Sequence, residues 1–533
     1  MQRSLAIIYF TWVAVAVSAP GLLRAAEQPY DIRHYDIWIE PDFAAKRLRI
    51  TARIEIDNPG HAKDFEFGLS DRYETVRVSA DGAPSKFRRE NDSVTVTVPQ
   101  PGLKTVLAFD LEGAPGKSQD NDRKVIDDDS LYLLWSDRFY PIAFDDWATV
   151  TTRITIPGRF KVVAPGRLTS IEEMGAISRE TFETSQPTLA FSVVADARWI
   201  RTERTINGIR MQTLLDPECN RYAEKILSTS AEVLKFYSKT LGPFSFDQFS
   251  FVTIPGIYAR RAFPGFVGYS PPYLEEEMTR TGHDAHETAL LWWGYTARGS
   301  GPGSWQWTEG FGDYTEILYD ETFHKPIPAI FERFRAEYLK LPAEKDVEWQ
   351  QLQGDTAQAI VHGKYPWLMH LLRYRMGDAD FNRALKTLFA HYRFRTFSMD
   401  ELIAVFEEAG GAPLAWWRDE WLGRKGVPEI SLRWKAEPAG QTYQVKCELL
   451  QTGNVYHLPV EIGIKTAGGM QIERVNLSAA SNSAVFQSRE KPLEVVFDPH
   501  RWLLVKLVSG QSAVLSGSDR ASVRDPWPVA RAR

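Results

Sequence analysis

The sequence has few cysteines, little net charge and few long apolar runs, and each shortage excludes a class of protein. Its 533 residues include two cysteines, Cys219 and Cys447, which are too few for a disulfide scaffold and fall in zones that we assign below to different domains, so we expect two free buried thiols. Lysine and arginine number 63 against 69 acidic residues, and the net charge of −6 indicates no polyanion partner such as nucleic acid. No Gly-x-Ser-x-Gly elbow of a serine hydrolase occurs.

The long apolar run is at the amino end. Leu5–Val17 follows the cationic Arg3 and precedes the helix breakers Pro20 and Gly21, an arrangement typical of a secretory signal. The run is too short for a good membrane span, and no cysteine follows it as a lipid anchor. We therefore expect residues 1–26 to be a signal peptide and the mature protein to be periplasmic or secreted, and not an integral membrane protein.

Three zones of different periodicity follow this segment. Polar and apolar residues alternate in Arg47–Asp57 and Ser93–Val98, which predicts a β-sandwich in the first zone. The alternation returns in Glu429–Trp434, Tyr443–Leu449 and Leu493–Phe497, which predicts a second, smaller β-sandwich.

The zone between them has the periodicity of helices. A helical pattern covers Pro217–Leu241, one strand is predicted near Phe249–Ile254, and Ser398 and Glu401 form a capping box that starts a later helix. The fold class is therefore α+β multidomain. The predicted domains are a signal peptide at 1–26, an N-terminal β-sandwich at 27–203, a mostly helical domain at 204–426, a C-terminal β-sandwich at 427–509 and a flexible tail at 510–533.

The residues suited to catalysis concentrate in the helical zone. Two histidines four positions apart on a helix present both imidazoles to one zinc ion, and the glutamate after the first can act on the bound water. Here His286 and Glu287 are present, but Leu290 stands where the second imidazole belongs. Glu309 follows after eighteen intervening residues as a further carboxylate ligand. The pattern is that of a zinc peptidase short of one ligand.

These motifs resemble the aminopeptidase N family of gluzincin zinc metallopeptidases. That family has His-Glu-x-x-His, then Trp-Trp-Gly or similar, then Glu-Gly-Phe at the same spacing, and the chain matches at His286–Glu287, Trp292–Gly294 and Glu309–Phe311 but departs at Leu290. Phe139–Asp146 resembles the end of the family's N-terminal sandwich. The resemblance implies a thermolysin-like, mostly helical catalytic-type domain between two β-sandwiches, with His286 and Glu309 as metal ligands and Glu287 as the catalytic carboxylate.

Two further family positions are altered. The family's Gly-x-Met-Glu-Asn-Pro-Gly, whose glutamate binds the substrate amino group, corresponds to Ala259–Gly265, with Ala262 in place of that glutamate. Arg260 and Arg261 beside it would favour an anionic ligand at this substrate-binding edge, or else point into solvent. The family's oxyanion-binding tyrosine corresponds to His362, although Tyr365 lies close enough to leave that register open.

The resemblance implies zinc as the cofactor, and the loss of one imidazole predicts that zinc is absent or weakly bound. We therefore expect an exported aminopeptidase-like protein with an incomplete zinc site, a pseudo-peptidase that binds a peptide or protein ligand. The alternative is an active zinc metallo-aminopeptidase of altered specificity, in which the missing ligand is supplied by His283, three residues before His286, by a water molecule or by a group of the substrate.

Overall fold

The computed structural model describes residues 29–118, 123–280, 282–301, 303–323, 329–342, 346 and 357–508. The predicted signal peptide and tail lie outside the described residues. The chain divides into two compact units, and the second begins at Trp416, before the predicted domain boundary at 426.

Alternating polar and apolar residues form the strands of the amino-terminal region. The strands are β1 (Asp31–Asp42), β2 (Arg47–Asp57), β3 (Asp64–Gly68), β4 (Tyr73–Ala80), β5 (Ala83–Pro84), β6 (Lys86–Glu90), β7 (Ser93–Thr97), β8 (Lys104–Gly113), β9 (Ser130–Leu133), β10 (Thr149–Pro157), β11 (Lys161–Val163), β12 (Arg167–Met174), β13 (Ile177–Glu183) and β14 (Val193–Asp196). An eight-stranded sheet has the order β12-β13-β10-β1-β2-β8-β4-β5, and two three-stranded sheets have the orders β3-β7-β6 and β11-β14-β9. Ile37, Ile50, Phe65 and Val94 from two of these sheets share one buried core, as predicted for a β-sandwich.

A five-stranded sheet follows in the order β15-β16-β17-β19-β18. Its strands are β15 (Ile200–Ile206), β16 (Ile209–Leu215), β17 (Gln248–Thr253), β18 (Arg260–Phe263) and β19 (Phe266–Tyr269). Sequence reasoning predicted β17 alone, and the predicted boundary after residue 203 falls inside β15. Pro264 and Gly265 join β18 to β19, and the φ of +81° at Gly265 is the left-handed conformation that a proline-glycine turn needs at its second central position. This turn presents β18 as the edge strand of the sheet.

Helices make up most of the rest of the first unit. They are α1 (Ala223–Thr240), α2 (Pro271–Arg280), α3 (His286–Leu290), α4 (Ser304–Phe323), α5 (Ala329–Leu339), α6 (Ala357–Gly363), α7 (Tyr365–Met376), α8 (Asp378–His391), α9 (Met399–Gly410) and α10 (Ala415–Trp417), with a short pair of strands, β20 (Ala297–Gly299) and β21 (Arg395–Phe397). The α-helix predicted from Pro217 begins later, at Ala223, and a 3-10 helical turn, Asn220–Tyr222, precedes it. The capping box at Ser398 and Glu401 is confirmed, with Glu401 N donating to Ser398 Oγ at 3.2 Å.

The second unit begins at Trp416, within α10, passes through a π-helical turn, Arg418–Leu422, and continues as β-structure. Its strands are β22 (Glu429–Ala439), β23 (Thr442–Thr452), β24 (Leu458–Thr466), β25 (Gly469–Leu477), β26 (Ser481–Ser488), β27 (Glu494–Phe497) and β28 (Lys506–Leu507). They form one sheet in the order β26-β23-β22-β28 and another in the order β25-β24-β27. The three strands predicted in this zone are confirmed as β22, β23 and β27.

Both cysteines are buried and free. Cys219 is 4% exposed in the first unit and Cys447 is 1% exposed in the second. Burial raises the pKa of each thiol to about 11. No helix among the described residues combines the length and apolar character needed to cross a bilayer.

Candidate functional site

The centre of the site is the contact of α3 with α4. His286 and Leu290, four residues apart on α3, lie on the same helical face. A Cβ atom added to Gly312 of α4 would lie 2.8 Å from Leu290 Cδ2 and 3.2 Å from His286 Cε1. Both side chains therefore face α4, and Leu290, 3% exposed, fills the place one turn beyond His286.

This placement of Leu290 can be tested at Gly312. We expect Gly312→Ala to lower the free energy of unfolding by about 1 to 3 kcal/mol, because the added methyl group would overlap Leu290 and crowd His286. In a Leu290→Ala background, Gly312→Ala should lower the free energy of unfolding by less. Urea unfolding of wild type, the two single variants and the double variant gives the coupling energy between the two positions. Additive effects would show that Leu290 does not face Gly312.

His286 lies between two carboxylates. Its Nε2 is 3.1 Å from Glu309 Oε2, and its Nδ1 is 2.9 Å from Asp313 Oδ1. Burial on its own lowers the pKa of His286, but the carboxylates of Asp313 and Glu309 outweigh it and hold the pKa well above its usual value. Each nitrogen of the buried ring is therefore close to an anion, an arrangement that favours the protonated ring.

Asp313 joins His286 to His362. His362 Nδ1 on α6 lies 2.6 Å from Asp313 Oδ2, and the rings of the two histidines are 6.2 Å apart. Although burial opposes it, the two histidines lower the pKa of Asp313 to about 2. Tyr365, the other candidate for the oxyanion position, stacks on Trp307 with ring centroids 4.8 Å apart. The structure therefore brings His362 to the centre of the site.

Glu287 is paired with Arg260. Successive side chains of a strand point to opposite faces, so Arg260 and Ala262 of β18 share the face opposite to Arg261. Arg260 Nε lies 3.3 Å from Glu287 Oε1, and its Nη1 lies 3.8 Å from both Asp284 Oδ1 and Glu277 Oε1.

Arg260 is thus the cation that lies close to all three of these buried carboxylates, and the Arg260 side chain is 15% exposed. Burial raises the pKa of Glu287 to about 7, although the neighbouring His286 and Arg260 lower it. Burial also raises the pKa of Asp284.

Arg261 contacts Trp135 of the amino-terminal β-region, whereas Ala262 contacts Tyr295, which follows α3. Ala262 is 2% exposed, and its carbonyl oxygen accepts a hydrogen bond from Tyr295 Oη at 2.8 Å. The Arg261 guanidinium lies 5.2 Å from the ring centroid of Trp135, and Trp135 Nε1 donates to Tyr295 Oη at 3.3 Å. The two arginines that were grouped by sequence therefore have separate partners.

Sequence reasoning missed a stripe of acids along α4. Glu309, Asp313, Glu316 and Asp320 are spaced by four, three and four residues, which places them on one face of a helix. Burial raises the pKa of Glu316 to about 7. His283 Nε2 lies 3.2 Å from Asp320 Oδ1, two turns along α4 from the contact of His286 with Asp313. The spacing of the acids was readable from the sequence.

The residues present do not fit the zinc ion of the family at His286. Such an ion needs three protein ligands and one open position, and Leu290 offers no donor atom where the third ligand belongs. His286 and Glu309, whose Nε2 and Oε2 atoms are 3.1 Å apart, supply only two of the three protein ligands. The carboxylate that would act on a bound water, Glu287, is paired with Arg260 instead.

Comparison with known proteins agrees with the sequence motifs at the level of the fold. No protein-family model matches the chain. A 73-residue segment is 34% identical to aminopeptidase N of Lactococcus lactis subsp. lactis, covering 14% of this chain and 9% of that protein's length.

Solved structures give broader matches. A mutant M1 zinc metallopeptidase from Deinococcus radiodurans bound to the substrate Tyr-Ser-Ala is similar over 74% of this chain and 94% of its own, with 19% identity and a TM-score of 0.62. Aminopeptidase A of Legionella pneumophila in complex with aspartic acid is similar over 91% of this chain and 60% of its own, with 14% identity and a TM-score of 0.73. The chain therefore has the fold of the M1 zinc metallopeptidases.

Proposed function

We propose that this chain is an exported, aminopeptidase-like protein that binds peptides or protein segments without hydrolysing them. The observation that carries the proposal is Leu290, buried against Gly312 on the face of α3 that also holds His286. A peptidase of this type needs an imidazole there to fix the ion that activates water. Removing one of three ligands costs several kcal/mol of zinc affinity on the scale of about 10 kcal/mol for a full site.

Arg260 supports the proposal independently. In the family that the motifs resemble, a glutamate aligned with Ala262 binds the cationic amino group of the substrate. Here Arg260, on the same face of β18, brings a guanidinium of the protein itself to Glu287, Asp284 and Glu277. A bound cation that is part of the chain competes with a substrate amino group for these carboxylates. Glu287 is also withdrawn from the role of base, since its charge is already paired.

The similarity in fold supports a peptide as the ligand of this site. A similar protein was solved with the tripeptide Tyr-Ser-Ala. Trp135 and Arg261, both partly exposed, lie beside β18 and offer an aromatic and a cationic side chain to an extended peptide. The ligand that we propose is therefore a peptide or protein segment.

The test is hydrolysis measured against a matched variant. Wild type and Glu287→Gln are incubated with Tyr-Ser-Ala and with amino-acid arylamides, with and without added Zn²⁺, and the products are followed by mass spectrometry. We expect equal, background cleavage by the two proteins, while calorimetry detects binding of the intact tripeptide to wild type. A copurified host peptidase would act equally in both samples. Cleavage that Glu287→Gln abolishes would establish the alternative, an active metallo-aminopeptidase.

A further inference from the structure

A second group of metal-ligating side chains lies further along α4. His283, Glu316 and Asp320 each direct one possible ligand atom into a common space, and the three atoms all lie within 4.8 Å of one another. Glu316 is seven residues beyond Glu309, which is about 10 Å along a helix. The group is thus centred further along α4 than the family's zinc position, although a ligand atom of Glu316 also lies within 4.8 Å of one of His286.

The residue types suit a divalent transition metal. One imidazole nitrogen and two carboxylate oxygens bind ions such as Zn²⁺ at about 2.0 to 2.2 Å. Atoms at that distance from one ion lie roughly 3 to 4 Å from each other, so small side-chain movements would bring the three atoms into coordination.

The Glu316 carboxylate points to a missing cation. Glu316 is 8% exposed, and Arg260, His286 and His283 are near enough to lower the pKa of its carboxyl group, yet among the described residues the carboxylate makes no direct hydrogen bond or ion pair with any of them. A carboxylate removed from water needs a compensating partner, and a second one, Asp320, is directed into the same space at 5% exposure.

A neighbouring group competes for the same glutamate. Ligand atoms of His286, Asp313 and Glu316 also lie within 4.8 Å of one another. The Asp313 carboxylate in that group is already shared by two histidines: Oδ1 lies 2.9 Å from His286 Nδ1, and Oδ2 lies 2.6 Å from His362 Nδ1. His283, by contrast, contacts Asp320 at 3.2 Å and stands beside the unpartnered Glu316.

We propose that His283, Glu316 and Asp320 bind one divalent transition-metal ion, in a site displaced along α4 from the zinc position of the family. The ion is structural: it neutralises two buried carboxylates and ties the segment before α3 to α4. The proposal does not depend on whether the protein hydrolyses peptides.

The experiment is Zn²⁺ binding by the full-length mature protein after treatment with a chelator, measured by calorimetry, elemental analysis and melting temperature. Mn²⁺ serves as a second ion. Two matched glutamine variants show which of the two sites binds the ion. His283→Gln changes the proposed site, and Glu309→Gln changes the family's zinc position. We expect wild type to bind one ion per chain with a rise in melting temperature, Glu309→Gln to do the same, and His283→Gln to bind about 100-fold more weakly or worse.

Asp320→Asn is the second variant, in case His283→Gln folds poorly, and it should lose the ion likewise. If wild type takes up no ion, the proposal is overturned and His283 with Asp320 is an ion pair. If Glu309→Gln or His286→Gln loses the ion while His283→Gln keeps it, the proposal is also overturned. None of these readouts uses hydrolysis, so the failure of this proposal is distinct from the failure of the proposed function.

Discussion

Replacing Arg260 by alanine should lower the free energy of unfolding at pH 8 by about 3 to 5 kcal/mol, because the change leaves buried carboxylates without their cation. Arg260 contacts Glu287 at 3.3 Å and both Asp284 and Glu277 at 3.8 Å. Urea unfolding followed by tryptophan fluorescence measures the loss. Arg260→Met keeps most of the apolar stem, so a similar loss in that variant would assign the effect to charge rather than to packing.

The loss should shrink as the pH falls. Burial raises the pKa of Glu287 in the folded protein to about 7, above its ordinary value of 4.5. A carboxyl group with a raised folded-state pKa destabilises the protein as the pH rises through this interval, and removing Arg260 raises that pKa further. The difference between wild type and Arg260→Ala should therefore be smaller at pH 5 than at pH 8.

The adjacent arginine supplies the control. Arg261 faces away from Glu287 and lies over Trp135, a contact worth about 0.5 to 1 kcal/mol at a partly exposed site. Arg261→Ala should accordingly cost about 1 kcal/mol with little pH dependence. Equal losses at the two positions, or a loss at Arg260 that does not change with pH, would contradict the ion-pair interpretation.

Replacing Leu290 by histidine should add about one zinc ion per chain to whatever wild type holds. The new imidazole would stand one turn from His286 and face α4, where Glu309 already lies 3.1 Å from His286 Nε2. Asp313 is placed to hold the other nitrogen of His286, as the outer partners of metal-bound histidines do. Without zinc, the polar ring in this apolar place should cost about 1 to 3 kcal/mol of stability, and zinc should restore it.

Activity should not return with the metal. Glu287 would still be paired with Arg260, and Ala262 would still lack a carboxylate. In the register that the motif resemblance favours, a histidine, His362, would still stand where the family has its tyrosine. Loss of one oxyanion donor alone reduces turnover about 100- to 1000-fold. Elemental analysis and arylamide hydrolysis test both parts, with Leu290→Phe as a ring of similar shape that cannot bind zinc. A folded Leu290→His protein that gains no zinc would show that Leu290 does not occupy the ligand position.

The sandwiches were predictable because some of their strands alternate buried and exposed side chains over many residues. Arg47–Asp57, for example, buries every second side chain, which only a half-exposed strand does. Strands β17 and β19 of the five-stranded sheet are buried on all sides and show no alternation. The edge strand β18 has four residues, too few for a period to be read.

The site was predictable where one helix carries it. His286, Glu287 and Leu290 lie on α3, so their relative directions follow from helical geometry. The directions of Arg260 and Arg261 depend instead on how β18 pairs with β19, and a shift of one residue would exchange them. His283 precedes α3, so its contact with Asp320 follows from the packing of two segments and not from a local pattern.

The distribution of the two cysteines has a practical consequence. Each compact unit contains one buried cysteine, with a thiol pKa raised by burial to about 11, so at neutral pH neither offers a reactive thiolate. An alkylating reagent would modify Cys219 only when its surroundings open, and Cys447 only when its own do. The rate at which each cysteine-containing peptide becomes alkylated, followed by mass spectrometry, would therefore report how often each unit opens. Both rates come from one sample, without any engineered label.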